Sequence, residues 1–269
     1  MTLFRQHAKS EAISTLVWAA ILGVIGFVTT YIYDVMSTSG SIAQMEKAMA
    51  NAQGVVKGLI GMDGGTFGSL DGWIQGYVLG SWITLPYVIF TALFVAGMIT
   101  REMDRRTIEF VLSLPVSRTQ VLLSRFGVLA GSLTVLHLAS YVGMAAGVMA
   151  LGQEGHFGRY ALAVLSSLLL FLFLGALMLL VSLFIDDYGP GTGTMLGIGL
   201  GLNFFHIATA DATGVVKSLR NWLPFGLHDV NAIVSRGEVP WVDMLILGGG
   251  ALLFLVLAIR VFQRKQIAV

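Results

Sequence analysis

The chain contains no cysteine, which excludes a disulfide framework, a thiolate metal site and a cysteine nucleophile. Charge is nearly as scarce: Asp, Glu, Lys and Arg make up 12% of the 269 residues, roughly half the share in soluble domains. With 16 Lys+Arg against 15 Asp+Glu the net charge is +1, so the basic footprint that grips nucleic acid is missing. Two catalytic signatures are absent as well. There is no Gly-x-x-x-x-Gly-Lys-Ser/Thr loop to cradle ATP and no His-Glu-x-x-His pair to hold zinc. Ser81 and Ser132 lie beside glycines, and His137 and His206 lie in apolar runs, but no spacing selects a nucleophile and its base.

What the sequence does have is apolar length. Hydrophobic residues reach 56% and the mean hydropathy is +0.82, which points to a membrane protein. A helix needs roughly 20 apolar residues to cross a bilayer, and six stretches qualify: Thr15–Tyr33, Trp73–Thr100, Val121–Leu151, Tyr160–Ile185, Gly191–Ala210 and Trp241–Phe262. The first, second and fourth carry no Asp, Glu, Lys or Arg. The expected fold is an all-α integral membrane protein with six transmembrane helices, forming a single domain over residues 1–269. The first run is too long for a signal-peptide core and is read as a retained helix. Six spans place both termini on one side of the membrane. Arg5, Lys9, Arg101, Arg105, Arg106, Arg118, Arg125, Arg260, Arg264 and Lys265 share that side, against six cations on the other. By the positive-inside rule both termini are cytoplasmic, and the cell membrane is the expected location.

Two outer loops carry amphipathic stretches expected to lie on the membrane surface. One follows a possible capping box at Ser41–Gln44 and places Ile42, Met45, Met49, Ala52 and Val56 near helical spacing. The other, Val215–Val234, sets Leu219, Trp222 and Phe225 beside Lys217 and Arg220 and is broken at Pro224. Glycine recurs every four residues at Gly189, Gly193, Gly197 and Gly201, and again at Gly72, Gly76 and Gly80. Such small-residue faces let helices approach closely in lipid, so the fifth span is expected to pack on another helix, within the chain or across a dimer.

The informative segment joins spans two and three. It reads Arg101-Glu102-Met103-Asp104-Arg105-Arg106-Thr107-Ile108-Glu109-Phe110-Val111-Leu112-Ser113-Leu114-Pro115-Val116-Ser117-Arg118-Thr119-Gln120. A charged elbow leads into a short helix with Ile108, Val111 and Leu112 on one face, which Pro115 stops. Ser117 and Gln120 then form a capping box for the third span.

This stretch resembles the segment after the second helix in ABC-2 type permeases, which often read Gly-Thr, then Glu-Leu-Leu-Leu-Ser-Leu-Pro-Val-Ser-Arg. Thr107, Glu109, Leu112, Ser113, Leu114, Pro115, Val116, Ser117 and Arg118 match it, while Arg106 stands where the family usually has glycine. The hydropathy layout is similar over the whole chain, most of all to the short permeases of the nitrous-oxide-reductase maturation type. The resemblance implies that Arg101, Glu102, Arg105, Arg106, Thr107, Ile108, Glu109, Phe110, Val111, Leu112 and Pro115 form a coupling helix and elbow that dock on a separate ATP-binding subunit. It also implies two such subunits, holding ATP and magnesium, and a second permease copy, identical or homologous. The chain itself is then neither an enzyme nor a cofactor binder. Its other partner is membrane lipid, and export is the implied direction.

Three polar residues lie deep in the spans: His137 in the third, and Asn203 and His206 on one face of the fifth. They serve either interhelical hydrogen bonds or a translocation path. An ion-coupled carrier is disfavoured because Asp186, Asp187 and Asp243 sit at span ends, leaving the centres almost free of acid. A membrane scaffold with a cytoplasmic docking helix is the remaining alternative. Nothing in the sequence selects a substrate, although walls so poor in charge suit an amphiphile.

Overall fold

The computed structural model describes residues 2–59, 67–98, 100–104 and 117–265, and every regular element among them is helical. A long first helix, α1 (Thr2–Thr38), is followed by two short ones, α2 (Ser41–Met49) and α3 (Gly54–Leu59). The second crossing is composite: α4 (Leu70–Trp73), a π-helical stretch (Ile74–Trp82) and α5 (Thr84–Met98). The elbow helix α6 (Thr100–Asp104) ends it. Then come α7 (Arg118–Ala150), α8 (Phe157–Ser182), α9 (Tyr188–Ala208) and α10 (Gly214–Trp222), a second π-helical stretch (Ala232–Arg236) and α11 (Trp241–Arg264).

Among the described residues, five helical segments are long and apolar enough to cross a membrane: His7–Thr38, Leu70–Met98, Arg118–Ala150, Phe157–Ser182 and Trp241–Arg264. The expected fifth span is present as α9, a helix of 21 residues and so roughly 31 Å long at 1.5 Å per residue. It falls outside the five because glycine, Asn203 and His206 dilute its hydropathy. The chain is an all-α, multi-pass membrane protein.

Helix α5 is the hub. Tyr87, Val88, Phe90, Ala92, Val95 and Ala96 are all buried, and the helix packs on α9, α8 and α7. Helix α1 lies along α7, and α11 along α8. The outward faces of α1 and α11 expose Ile13, Leu16, Val24, Leu245, Leu252 and Val256, as lipid-facing helices do. Polar side chains tie the layers together. Thr15 on α1 bonds Ser132 on α7 at 2.9 Å, and Tyr87 on α5 bonds Ser140 on α7 at 2.8 Å. Arg125, 2% exposed, gives its Nη1 proton to the Met98 carbonyl, which places a cation at the C-terminal end of α5.

The capping box that starts α7 is formed at both ends, with Gln120 N donating to Ser117 Oγ at 3.2 Å and Ser117 N to Gln120 Oε1 at 3.0 Å. The box expected at Ser41–Gln44 is not. Gly40, with φ of 73°, stands at the helix start, and Ser41 Oγ bonds Ser39 Oγ at 2.7 Å instead. A left-handed residue at that position leaves Ser41 inside the helix and takes its hydroxyl away from the third amide. Helix α10 ends at Trp222 with Leu223 extended, as the residue before Pro224 must be. No α10 residue is buried, in keeping with a helix lying at an interface.

Candidate functional site

The two ends of the bundle are built differently. At one end the elbow is wired to distant helices. Arg101 Nη2 donates to the Tyr188 hydroxyl at 2.7 Å, and its guanidinium lies 4.7 Å from the centre of the same ring. Thr100 is packed so closely on Gly191 that a β-carbon there would sit 2.9 Å from its methyl group. Past the joining segment, Arg118 Nη1 donates to the carbonyls of Phe262 at 3.1 Å and Lys265 at 2.6 Å. Lys265 Nζ in turn reaches the Leu183 carbonyl and Asp186 Oδ1, each at 2.7 Å. The two flanks of the joining segment are therefore held by different helices, α9 on one side and α11 on the other. Of the residues expected to dock, Arg105, Arg106, Thr107, Ile108, Glu109, Phe110, Val111, Leu112 and Pro115 lie outside the described residues. Glu102 falls within α6.

At the opposite end the composite second crossing, the end of α3, the last turns of α9, residues 220–231 and the first turns of α11 border an open cavity of about 730 Å³. Drug-sized ligands occupy pockets of about 300–1,000 Å³. Gln75, Gly76, Leu79 and Gly80 of the π-helical stretch form part of its wall. The wider π turn, of a kind that recurs at functional sites, and the two missing side chains leave that space open. Asn203 and His206 line the cavity and His137 does not. The structure places His137 between helices, with Nδ1 2.7 Å from the Leu133 carbonyl, Nε2 3.1 Å from Ser167 Oγ and its ring stacked on Tyr87 at 4.1 Å.

The charged groups of the cavity wall are Arg220, Asp229 and Asp243. Arg220 holds His206, donating from Nε to its carbonyl at 3.0 Å and from Nη2 to ring Nε2 at 3.2 Å. A guanidinium cannot accept, so the imidazole proton lies on Nδ1. Asp229 pairs with Arg236 at 3.1 Å and accepts the Ala232 amide at 2.9 Å. His228, in the loop before the second π-helical stretch, bonds Ser166 at 2.9 Å. Burial pulls its pKa down to about 4, so it is neutral at physiological pH. The sequence had pointed to Asn203 and His206 but not to Asp229 or Asp243, because no spacing links the start of the last helix to the end of α9.

The glycine ladder faces away from both regions. Gly189, Gly193, Gly197 and Gly201 are exposed, and a β-carbon on any of them would meet no atom within 4 Å. The face of α9 that packs is offset from it and consists of Gly191, Met195, Gly199 and Asn203.

A family model described as ABC-2 family transporter protein matches residues 4–267. The chain belongs to the ABC-2 transporter family. No curated protein matches it at a significant level. An ABC-2 family member of this kind is a membrane permease component of an ABC transporter and works with an ABC ATP-binding partner. The missing nucleotide loop accords with that division of labour.

Proposed function

We propose that this permease is an exporter driven by a separate ATP-binding subunit that docks on residues 101–115, two permease copies acting with two such subunits. Both termini and the docking segment then face the cytoplasm, a reading supported by the ten cations that share that side against six opposite. The observation that carries the mechanism is the wiring of the elbow. Arg101 is fixed to the first residue of α9 through Tyr188, and Arg118 to the end of α11 through the Phe262 and Lys265 carbonyls. A push on the segment between them is delivered to two helices that reach the cavity at their far ends. Helices transmit such displacements as rigid rods, and the cavity walls move with them.

Val111→Glu tests the docking. It puts a carboxylate into the proposed apolar contact, which is costly to desolvate. The wild-type chain, purified gently from its native membrane, is expected to bring down a stoichiometric Walker-type ATPase, and the variant to lose it while remaining folded. Retention of the ATPase by the variant would overturn the assignment of the docking face.

A further inference from the structure

The elbow wiring accounts for how the cavity walls move but not for the groups they carry. Two of those groups are fixed at one end and open at the other. Gln75, on the π-helical stretch of the second crossing, is 3% exposed, and its Oε1 accepts the hydroxyl proton of Ser235 on the second π-helical stretch. His228 is tied through Nδ1 to Ser166 Oγ at 2.9 Å, and Ser166 is fully buried. Both residues line the cavity. The second polar atom of each, Nε2, bonds nothing among the described residues and keeps accessible surface. Polar groups held this far inside a protein are nearly always satisfied, so a partner that the chain does not supply belongs in front of them. Charge does not select that partner. The wall carries Arg220, held by His206, together with Asp229, held by Arg236, and Asp243, so a head of either sign meets a like charge. What the wall offers is donors and acceptors side by side. The Gln75 amide nitrogen donates, the carboxylates accept, and the neutral imidazole of His228 presents a proton or a lone pair according to its tautomer. A hydroxyl both donates and accepts and so complements all of them, whereas an ammonium only donates and a carbonyl only accepts. Trp222, Phe204, Leu79 and Ile246 supply apolar wall beside these groups.

We propose that this cavity binds a neutral amphiphile with a polyhydroxyl head, whose hydroxyls bond Gln75 Nε2 and His228 Nε2 while its apolar part lies against the aromatic and aliphatic wall. Calling this occupant the cargo rests on the permease reading; the binding itself does not.

The test uses the full chain in lipid nanodiscs. Octyl glucoside, kept well below its micelle concentration, is titrated calorimetrically beside octanol, octylamine and octanoate, which share its tail and differ in the head, with empty nanodiscs subtracted. Octyl glucoside is expected to bind saturably, at least about tenfold tighter than each of the others, as hydrogen bonds from Gln75 and His228 predict. Gln75→Met, similar in size, and His228→Phe are each expected to weaken octyl glucoside severalfold and to leave octanol unchanged. Glu154→Gln, at an exposed carboxylate outside the cavity, should change nothing. Thermal unfolding shows which variants are intact, and the comparison of heads on the wild-type chain stands whether or not a variant folds. Octanol binding as tightly as octyl glucoside, either charged head binding more tightly, or an unchanged preference in folded Gln75→Met would overturn the proposal. Failure of the Val111→Glu experiment leaves this titration untouched, and loss of glucoside binding leaves ATPase capture untouched, so the two readings fail separately.

Discussion

Two sets of glycines in this chain share a spacing and do opposite work. Gly143 on α7 faces Gly23 on α1, Gly147 faces Phe27 and Thr30, and Gly26 faces Ser140 and Met144, so the two backbones touch there. A β-carbon at Gly26 would stand 2.8 Å from the Ser140 carbonyl oxygen, and one at Gly147 would stand 2.8 Å from the Thr30 Cβ. One at Gly143 would fall on the Gly23 carbonyl. The ladder on α9 repeats the four-residue interval three times over, and a β-carbon on any of its glycines would touch nothing among the described residues. Spacing alone thus says that a face is smooth; what lies opposite decides whether smoothness is structural. Among the described glycines of the long helices, those of the α1–α7 seam leave the least room for a β-carbon against the backbone of another helix, and the seam joins lipid-facing α1 to the body of the bundle.

The largest effect is therefore expected at Gly143. Gly143→Ala sets a methyl group against the Gly23 backbone, which has no flexible end to swing aside, so α1 must move outward along its length. Overpacking of this kind costs about 1–3 kcal/mol and occasionally more, and thermal unfolding in detergent should register it as a clear fall in midpoint. An unchanged midpoint would mean that the seam is looser than described. A smaller loss is expected at Gly199, on the packed face of α9. There an added β-carbon would meet Val88 Cγ1 at 2.6 Å and Met178 Cε at 2.9 Å, both ends of side chains, and methionine repacks readily. Gly199→Ala should cost about 1 kcal/mol, measured the same way. A loss as large as that of Gly143→Ala would place α9, rather than α1, in the least yielding contact.

How much of this was legible beforehand follows the range of each signal. The start of α7 at Ser117 and the end of α10 before Pro224 are local events, set by a hydroxyl, an amide and a ring. They could be read from a few neighbouring residues. The box at Ser41 failed for an equally local reason, the left-handed Gly40. The seam at Gly23 and Gly143 has no comparable signal in the sequence, because its four glycines are split between two distant helices at unequal spacing, although the contact itself is far closer than any at the ladder. The cavity could not be read at all beyond Asn203 and His206. Its wall combines Gln75, Asn203, Arg220 and Asp243, residues brought together only by the folding of the second crossing against α9 and α11. The π-helical geometry at Ile74–Trp82 likewise has no counterpart in hydropathy or motif.

The smallest effect on the isolated chain, and the sharpest separation of the two glycine sets, is expected at Gly197. With no atom within 4 Å, a side chain there displaces nothing in its own protomer. Replacing glycine inside a helix also recovers up to about 1 kcal/mol of helix propensity. Gly197→Leu should therefore unfold at the wild-type temperature or slightly above it. If the ladder is the seam between two permease copies, the same leucine holds the backbones apart, because close approach in lipid depends on small residues at the contact. Size-exclusion chromatography with light scattering in mild detergent should then show a shift from dimer toward monomer at unchanged stability. A fall in stability comparable to that of Gly143→Ala would show that the ladder packs within the chain after all. An unchanged dimer would place the subunit contact on another face, with the exposed apolar side of α1 the next surface to substitute.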